Sequence, residues 1–165
     1  MKTAVVVLDR FRSEGERVAE FLDAELVPYS DHVFADLYSR VEVIVAVMSA
    51  GIAVRGCAPH LSDKWHDPAV VVVTPDLRYA IPVLGGHHGG NVCAKRLAAL
   101  GIEPVISTAT ETRGRPSVEE TARTGGFVVV NRSSTRAVNG AVLGGGVPVV
   151  RVGPTPSFCP HPGVW

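Results

Sequence analysis

Uninterrupted apolar runs in the first half of the chain predict strands that are buried on both faces. Residues 3–9 read TAVVVLD and residues 41–49 read VEVIVAVMS, so polar positions are confined almost entirely to their ends. A strand at a sheet surface would alternate apolar and polar residues, and these runs therefore favour central strands of a parallel sheet. Two shorter runs, residues 70–73 and 79–84, flank the turn sequence TPDL, and we predict a hairpin there.

Helical segments alternate with these strands. Ser13 and Glu16 have the spacing of a capping box, which predicts a helix start, and Gly101 predicts the end of a helix over residues 91–100. Ser117 and Glu120 repeat the capping-box spacing before a second helical segment. The remaining predicted elements are strands at residues 104–108, 127–131 and 147–152 and a helix at residues 134–143.

This alternation of strand and helix predicts an α/β protein. We expect a three-layer sandwich around a mostly parallel, doubly wound sheet of the Rossmann or flavodoxin-like kind. One domain is predicted over residues 1–152, and the proline-rich residues 153–165 are predicted to form an irregular tail.

The composition narrows the class of protein. The 165 residues are 46% hydrophobic and carry a formal net charge of zero, which disfavours a nucleic-acid partner held by bulk charge. No apolar run approaches the roughly 20 residues of a membrane helix. Charged residues follow Leu8 too early for a secretory signal, so we predict a cytoplasmic protein without a membrane partner. Three cysteines without a CxxC pattern predict neither a disulfide framework nor a zinc site.

The neutral total conceals a charge gradient. Residues 1–50 hold five basic and nine acidic side chains, whereas residues 112–165 hold six arginines against Glu119 and Glu120. Arginine is suited to bidentate recognition of carboxylates and phosphates. A pocket for an anionic small molecule is one interpretation of this gradient, and solvated surface with internal ion pairs is the other.

Ligands of open α/β sheets bind at the carboxyl ends of strands, and four segments follow predicted strands. Gly51 follows residues 41–49, with Arg55 about one helical turn further on. A glycine-rich stretch of residues 85–91 follows residues 79–84, and its exposed backbone amides suit an anion or a carbonyl. The third and fourth segments begin after residues 104–108 and 127–131. We expect all four to converge on one cleft at one edge of the sheet.

The glycine-rich stretch contains His87 and His88. Adjacent side chains seldom reach one metal, and no carboxylate or cysteine stands at ligand spacing beside them, so no metal site is predicted. A loop histidine that acts as acid, base or donor to a ligand carboxylate is the stronger interpretation, with ordinary surface histidines as the alternative. Lys64, between His60 and His66, lies in a polar loop that is as consistent with structure as with binding.

The last two segments offer hydroxyl, amide and guanidinium groups. In each, ligand binding competes with helix capping, since Ser133 or Ser134 can cap a helix on which Arg136 and Asn139 lie three residues apart. We predict a substrate-binding set from all four segments and from Lys64: Gly51, Arg55, Lys64, Gly85, Gly86, Gly89, Gly90, Asn91, Thr108, Thr110, Glu111, Asn131, Ser133, Ser134, Thr135, Arg136 and Asn139.

Five blocks in register resemble the N-terminal region of the cobalamin-biosynthesis CbiG family, the cobalt-precorrin-5A hydrolases. They are SAGIAVRGCAPHL, KWHDPAVVVV, LGGHHGGN, VISTATE and VNRSSTRAVNGAVL, and the resemblance covers about residues 40–152. It implies opening of the δ-lactone of cobalt-precorrin-5A, with release of acetaldehyde, to give cobalt-precorrin-5B in the anaerobic route to vitamin B12. It also implies a cobalt-tetrapyrrole substrate and no cofactor, because cobalt enters only as part of that substrate.

The chain departs from the family in two respects. The glycine loop of the family usually reads Leu-Ser-Gly-His, so Gly85 stands at the serine position, His87 matches the single histidine and His88 is additional. Family members also commonly continue into a C-terminal domain. A separate partner chain that supplies this domain is therefore one expectation, and a homodimer is another.

Three functions remain open at this point. A hydrolase would use His87, or His88, as the base for a water that attacks the lactone carbonyl, while amides of the glycine loop hold the oxyanion. The alternative is a non-catalytic tetrapyrrole-binding module, or a subunit of a split hydrolase. A generic phosphate or nucleotide binder is disfavoured, because neither a Walker loop nor a GxGxxG motif occurs.

Overall fold

The computed structural model describes residues 1–145 and residue 147. The chain divides into two compact units, Met1–Ile106 and Ser107–Trp165. The single domain over residues 1–152 stays a prediction at its carboxyl end, because the predicted strand 147–152 and the tail 153–165 lie largely or wholly outside the described residues.

The first unit is built on one sheet of six strands in the order β2-β1-β3-β4-β5-β6. Neighbouring strands are parallel except for β4 and β5, which are antiparallel. The predicted mostly parallel sheet and the predicted hairpin are therefore confirmed. The strands are β1 (Thr3–Val7), β2 (Glu25–Pro28), β3 (Val43–Val47), β4 (Ala69–Val73), β5 (Tyr79–Leu84) and β6 (Glu103–Pro104).

Successive residues of the central strands enter two separate cores, because side chains alternate between the faces of a sheet. Val5 and Val7 of β1 pack with residues of α1 and α4, whereas Ala4 and Val6 pack with residues of α2 and α3. Both faces of the sheet are thus covered by helices, which confirms the three-layer sandwich. The helices of this unit are α1 (Arg12–Leu22), α2 (Val33–Tyr38), α3 (Ala50–Cys57) and α4 (Gly90–Leu97).

Three local predictions in this unit need correction. The capping box at Ser13 is wrong, because α1 begins at Arg12 and the Ser13 hydroxyl instead donates to the carboxylate of Glu14. The strand predicted at residues 104–108 is reduced to the two residues of β6. The pattern also missed β2 and α2, because β2 is a four-residue strand without a buried residue and α2 has only six residues.

The second unit contains α5 (Ala109–Thr112), α6 (Val118–Gly125) and α7 (Thr135–Gly144). The helix start at Ser117 is confirmed, since its hydroxyl oxygen accepts a hydrogen bond from the Glu120 N–H at 3.1 Å. The strand predicted at residues 127–131 is wrong: these described residues lie outside any strand, and Val130 is 93% exposed. A β-branched sequence favours a strand only where it packs against a sheet surface.

Candidate functional site

The glycine–histidine loop, residues 85–91, lies at the opposite edge of the sheet from Gly51. Leu84, at the end of β5, pairs with Val70 at the start of β4, whereas Val47, just before Gly51, pairs with Val73 at the end of β4. The predicted convergence of these two segments is therefore wrong. The carboxyl ends of strands meet at one edge only when the strands are parallel, and the β4–β5 hairpin reverses the chain.

We call the edge where β1, β3 and β4 end the carboxyl edge, and the edge where they begin the amino edge. Exposed Gly51 and Arg55 lie in α3, which begins at the carboxyl edge, and a Cβ on Gly51 would be 3.9 Å from Arg55 Nη1. Neither residue shares the amino edge with His87 and His88. Gly51 and Arg55 therefore do not form one binding site with the glycine–histidine loop.

Glycines are required where this loop turns. Gly85 has a φ of 60°, and a Cβ there would approach the Cα of Ala69 to 2.8 Å. Gly89 has a φ of 117°, in the region that side chains rarely adopt. The loop is therefore a short, sterically constrained turn rather than a flexible glycine linker.

The carbonyl oxygen of Gly85 stabilises the turn through hydrogen bonds to later residues of the same loop. It accepts hydrogen bonds from the His88 N–H at 2.9 Å and from the Gly90 N–H at 3.1 Å. These two amides were among those expected to hold an oxyanion, and the structure uses them inside the loop. Gly86, His87 and His88 form a single 3₁₀ turn before α4, in which Asn91 is 2% exposed.

Trp65 brings a second loop against His88. The two ring centroids are 4.9 Å apart, and the ring planes meet at 72° in an edge-to-face arrangement. Lys64 Nζ lies over the indole, 5.1 Å from its ring centroid. A cation, an indole and an imidazole are thus adjacent at the amino edge. Trp65 is the site residue that the sequence analysis missed, since nothing in its spacing connects it with His88.

The loop that carries Trp65 is fastened by two aspartates. The Asp67 carboxylate accepts hydrogen bonds from the Ser62 hydroxyl at 2.8 Å and from the Ser62 and Asp63 N–H groups. Asp63 Oδ1 accepts from the Trp65 N–H at 2.8 Å. Desolvation acts to raise the pKa of Asp67, but its hydrogen bonds outweigh this effect and hold the pKa below its ordinary value.

Three partly or fully buried side chains of the first unit have raised pKa values. The rings of Tyr38 and His60 are 5.6 Å apart, and burial, followed by the charges of Cys57 and Asp67, raises the pKa of Tyr38. Burial also raises the pKa of Cys57 to about 11 and that of Cys93 to about 11. Both thiols are therefore protonated at neutral pH and serve as core residues rather than nucleophiles.

The second unit uses several of the predicted binding residues in its own fold. Asn139 Oδ1 accepts from the Val118 N–H at 2.9 Å, and Asn139 Nδ2 donates to Glu119 Oε2 at 2.7 Å. Thr135 is 2% exposed and its hydroxyl donates to the Arg132 carbonyl oxygen. These contacts give Asn139 and Thr135 structural roles.

Most of the other predicted binding residues of this unit lie at exposed positions or near the first residues of α5 and α7. Ser133 donates to Asn131 Oδ1 at 2.8 Å, and Arg136 is exposed on α7. Thr110 is 3% exposed. Thr108 precedes α5, Glu111 lies within it, and Ser134 precedes α7.

An apolar cavity of about 210 Å³ lies within the second unit. Its lining offers almost no polar surface, so it does not suit a ligand that carries many carboxylates. Its described lining consists of Val118, Thr121, Ala122, Phe127, Val128, Val129, Val138 and Val142.

The described residues contain neither a side-chain cluster for a metal ion nor a helix that could span a membrane. Within residues 1–145 and 147, no group of three or more histidine, cysteine, aspartate or glutamate side chains could hold a metal ion. Over the same residues, no helix combines the length and the apolar character that crossing a membrane requires.

The fold defines a class, the α/β proteins with a mostly parallel sheet between two layers of helices. Residues 32–111 match the family described as Cobalamin synthesis G N-terminal. The chain is 38% identical over 125 residues to the cobalt-precorrin-5A hydrolase of Salmonella typhimurium, covering 72% of this chain and 34% of that protein. It is 33% identical over 109 residues to the enzyme of the same name from Priestia megaterium, covering 65% and 29%.

A solved structure agrees with these matches. The crystal structure of a cobalamin biosynthesis protein G homolog from Sulfolobus solfataricus aligns with a TM-score of 0.62 and 25% identity, over 93% of this chain and 51% of that one. The chain therefore contains the N-terminal region of the CbiG family. It spans about one third of the length of the curated relatives that it matches.

Proposed function

We propose that this chain binds a cobalt-containing tetrapyrrole and takes part in the hydrolysis of cobalt-precorrin-5A. The names of its relatives support this proposal, and so does the resemblance of the glycine–histidine loop to the corresponding loop of the family. The observation that carries it is the cluster at the amino edge, where Lys64, Trp65 and His88 lie against one another.

This cluster suits a planar, polycarboxylate substrate. The Lys64 ammonium can pair with a substrate carboxylate, and the indole of Trp65 offers apolar and aromatic surface beside it. His87 and His88 supply two imidazoles, the side chain that proteins use most often as a general acid or base. Gly51 and Arg55 lie away from this edge and have no part in the proposal.

Lactone hydrolysis needs one proton taken and one returned. A water molecule attacks the carbonyl carbon, an imidazole takes its proton, and the C–O bond of the lactone breaks once the tetrahedral intermediate collapses. The imidazolium then protonates the departing alkoxide. Release of acetaldehyde follows when a base removes the proton of the freed hydroxyl and the electron pair of the adjacent C–C bond passes into the macrocycle.

The resemblance favours His87 as this base, because it matches the single histidine of the family loop. Because the N–H groups of His88 and Gly90 are hydrogen-bonded to the Gly85 carbonyl oxygen, the oxyanion needs other donors, and the Lys64 ammonium within the cluster is one. Exposed Arg136 is the further candidate for carboxylate binding, in the second unit.

A further protein segment belongs to the proposal. The matched segment covers only 34% and 29% of the two curated relatives, so we propose that a C-terminal domain, on a separate chain or beyond this sequence, completes the active site. A homodimer is a second arrangement that would supply additional groups to the cluster.

A tetrapyrrole-binding module without catalysis is the second candidate function. The hydrogen bonds from the His88 and Gly90 N–H groups to the Gly85 carbonyl oxygen favour the binding module. Because both groups are already bonded within the turn, they cannot form an oxyanion site. The two candidates differ in one product, acetaldehyde. Release of acetaldehyde from cobalt-precorrin-5A by the purified chain, alone and with the C-terminal region of a relative, supports the hydrolase, whereas tight binding without release supports the module.

A further inference from the structure

Trp65 contacts the histidine that the family resemblance does not assign. We propose that Trp65 is a positioning residue, which holds the His88 imidazole in one orientation and makes His88 the working base of the site. This inference rests on the proposed hydrolytic function. It adds a residue, Trp65, that the sequence pattern did not indicate, and it prefers His88 over His87.

The composition of the loop explains why such a residue is needed. Gly85, Gly86, Gly89 and Gly90 surround the two histidines and contribute no side chain that could restrict an imidazole. Packing from outside the loop therefore contributes to the orientation of His88. Trp65 provides it, since the ring centroids lie 4.9 Å apart with the planes at 72°. Edge-to-face contacts of this kind have a preferred geometry.

The indole can orient another ring only if it is itself held. The backbone N–H of Trp65 donates to Asp63 Oδ1 at 2.8 Å, and the Asp67 carboxylate closes the same loop through Ser62 and Asp63, so the backbone that carries the indole is held. Lys64 Nζ lies 5.1 Å from the indole centroid. Trp65 is half-buried, so packing restricts its indole while the backbone hydrogen bond restricts the loop that carries it.

A positioning role makes a specific kinetic prediction. If Trp65 acts through His88, Trp65→Leu lowers kcat for acetaldehyde release by about tenfold to a hundredfold, because small misplacements of a reacting group are costly. KM rises as well, because the aromatic surface that the proposed function gives to the substrate is lost, so the change in kcat is the measure of positioning. Trp65→Phe, which keeps an aromatic ring, retains most of kcat. In a His88→Ala background, Trp65→Leu has no further effect on kcat, since the group it positions is already gone.

The NMR spectrum tests the same contact without any substrate. The ring protons of His88, assigned by comparison with His88→Ala, are shifted by the indole ring current in the wild type. We expect Trp65→Leu to remove this shift and Trp65→Phe to keep part of it. Phe21→Leu, at a half-exposed aromatic residue of α1, is the matched control and leaves the His88 signals unchanged.

Each result has a stated meaning. A retained shift in Trp65→Leu, or an equal loss of kcat from Trp65→Leu with and without His88, overturns the positioning role. If Trp65→Leu does not fold, Trp65→Met takes its place. Absence of acetaldehyde release by the wild type, with the C-terminal region present, overturns the proposed function instead, while the ring-current shift still decides whether Trp65 orients His88.

Discussion

Leu84 pairs with Val70 in antiparallel register, and this pairing determines which residues can share a site. It places the glycine–histidine loop beside the first residues of β3 and β4 rather than beside Gly51. Residues that precede β4 therefore come within reach of His88, and Trp65 is in ring contact with it.

The first prediction concerns the steric need for glycine in this loop. Gly85→Ala places a side chain at a φ of 60°, which costs about 1–2 kcal/mol. The overlap with Ala69 adds about 1–3 kcal/mol of overpacking. We expect a clear fall in Tm, measured by circular dichroism.

Gly51→Ala is the matched control. Gly51 lies in α3 with a negative φ and ordinary space for a Cβ, so alanine is neutral or stabilising by up to about 1 kcal/mol. Equal losses of Tm in the two variants would contradict the account of the loop.

The second prediction concerns pH. The folded state lowers the pKa of Asp67 below its ordinary value of 3.8, so its hydrogen bonds stabilise the protein above that value and are lost as the pH falls through the folded pKa. We expect Asp67→Asn to have a lower Tm than the wild type at about pH 7, with a smaller difference at about pH 3.

Thermal unfolding of both proteins at the two pH values checks this prediction. Asp31→Asn, at an exposed aspartate elsewhere in the first unit, is the control. If the difference in Tm between the wild type and Asp67→Asn grows as the pH falls, the pKa of Asp67 is not lowered by folding, and the prediction is wrong.

The third prediction concerns the second unit. Asn139→Ala removes the acceptor for the Val118 N–H and the donor to buried Glu119, and we expect a loss of about 1–3 kcal/mol in the free energy of unfolding. Asn139→Asp is worse at neutral pH, because it places two carboxylates together. Glu119→Gln restores stability to Asn139→Asp, since the new amide donates to the new carboxylate. Hydrogen exchange at the Val118 amide measures the loss in each Asn139 variant. If the losses of stability in Asn139→Asp and Glu119→Gln simply add in the double variant, residues 119 and 139 do not interact.

The fourth prediction separates binding from stability. Arg136 is exposed on α7, so Arg136→Ala leaves Tm unchanged. If its guanidinium binds a substrate carboxylate, tetrapyrrole affinity falls by roughly 1.5–3 kcal/mol. Titration of cobalt-precorrin-5A followed by its absorbance measures this effect. Arg123→Ala, on exposed α6 surface, is the control, and an equal loss there would point to general charge rather than to a site.

The central strands could be predicted from the sequence because the signal for each strand lies within that strand's own residues. Continuous valine runs can be buried only between two layers, so β1 and β3 were recognisable from composition alone. Residues 127–131 carry the same β-branched signal and form no strand in the described part, because that signal is realised only against a sheet surface.

The site was predicted less completely, for a reason of topology. The sequence identified the hairpin between β4 and β5 and separately placed the histidines after β5, yet the hairpin itself sends those histidines to the other edge. Contact between Trp65 and His88 requires the loop before β4 to lie beside the loop after β5. No hydrophobic periodicity along the chain indicates that these two loops are neighbours.

Single-turnover release of acetaldehyde from cobalt-precorrin-5A tests the central claim most directly. We compare wild type, His87→Ala, His88→Ala and Arg55→Ala, each with the C-terminal region of a relative present. The account predicts a loss of about 10²–10⁴-fold in His88→Ala, a smaller loss in His87→Ala, and the wild-type rate in Arg55→Ala at the opposite edge of the sheet. Wild-type rates in both histidine variants, a larger loss in His87→Ala than in His88→Ala, or a large loss in Arg55→Ala would contradict it.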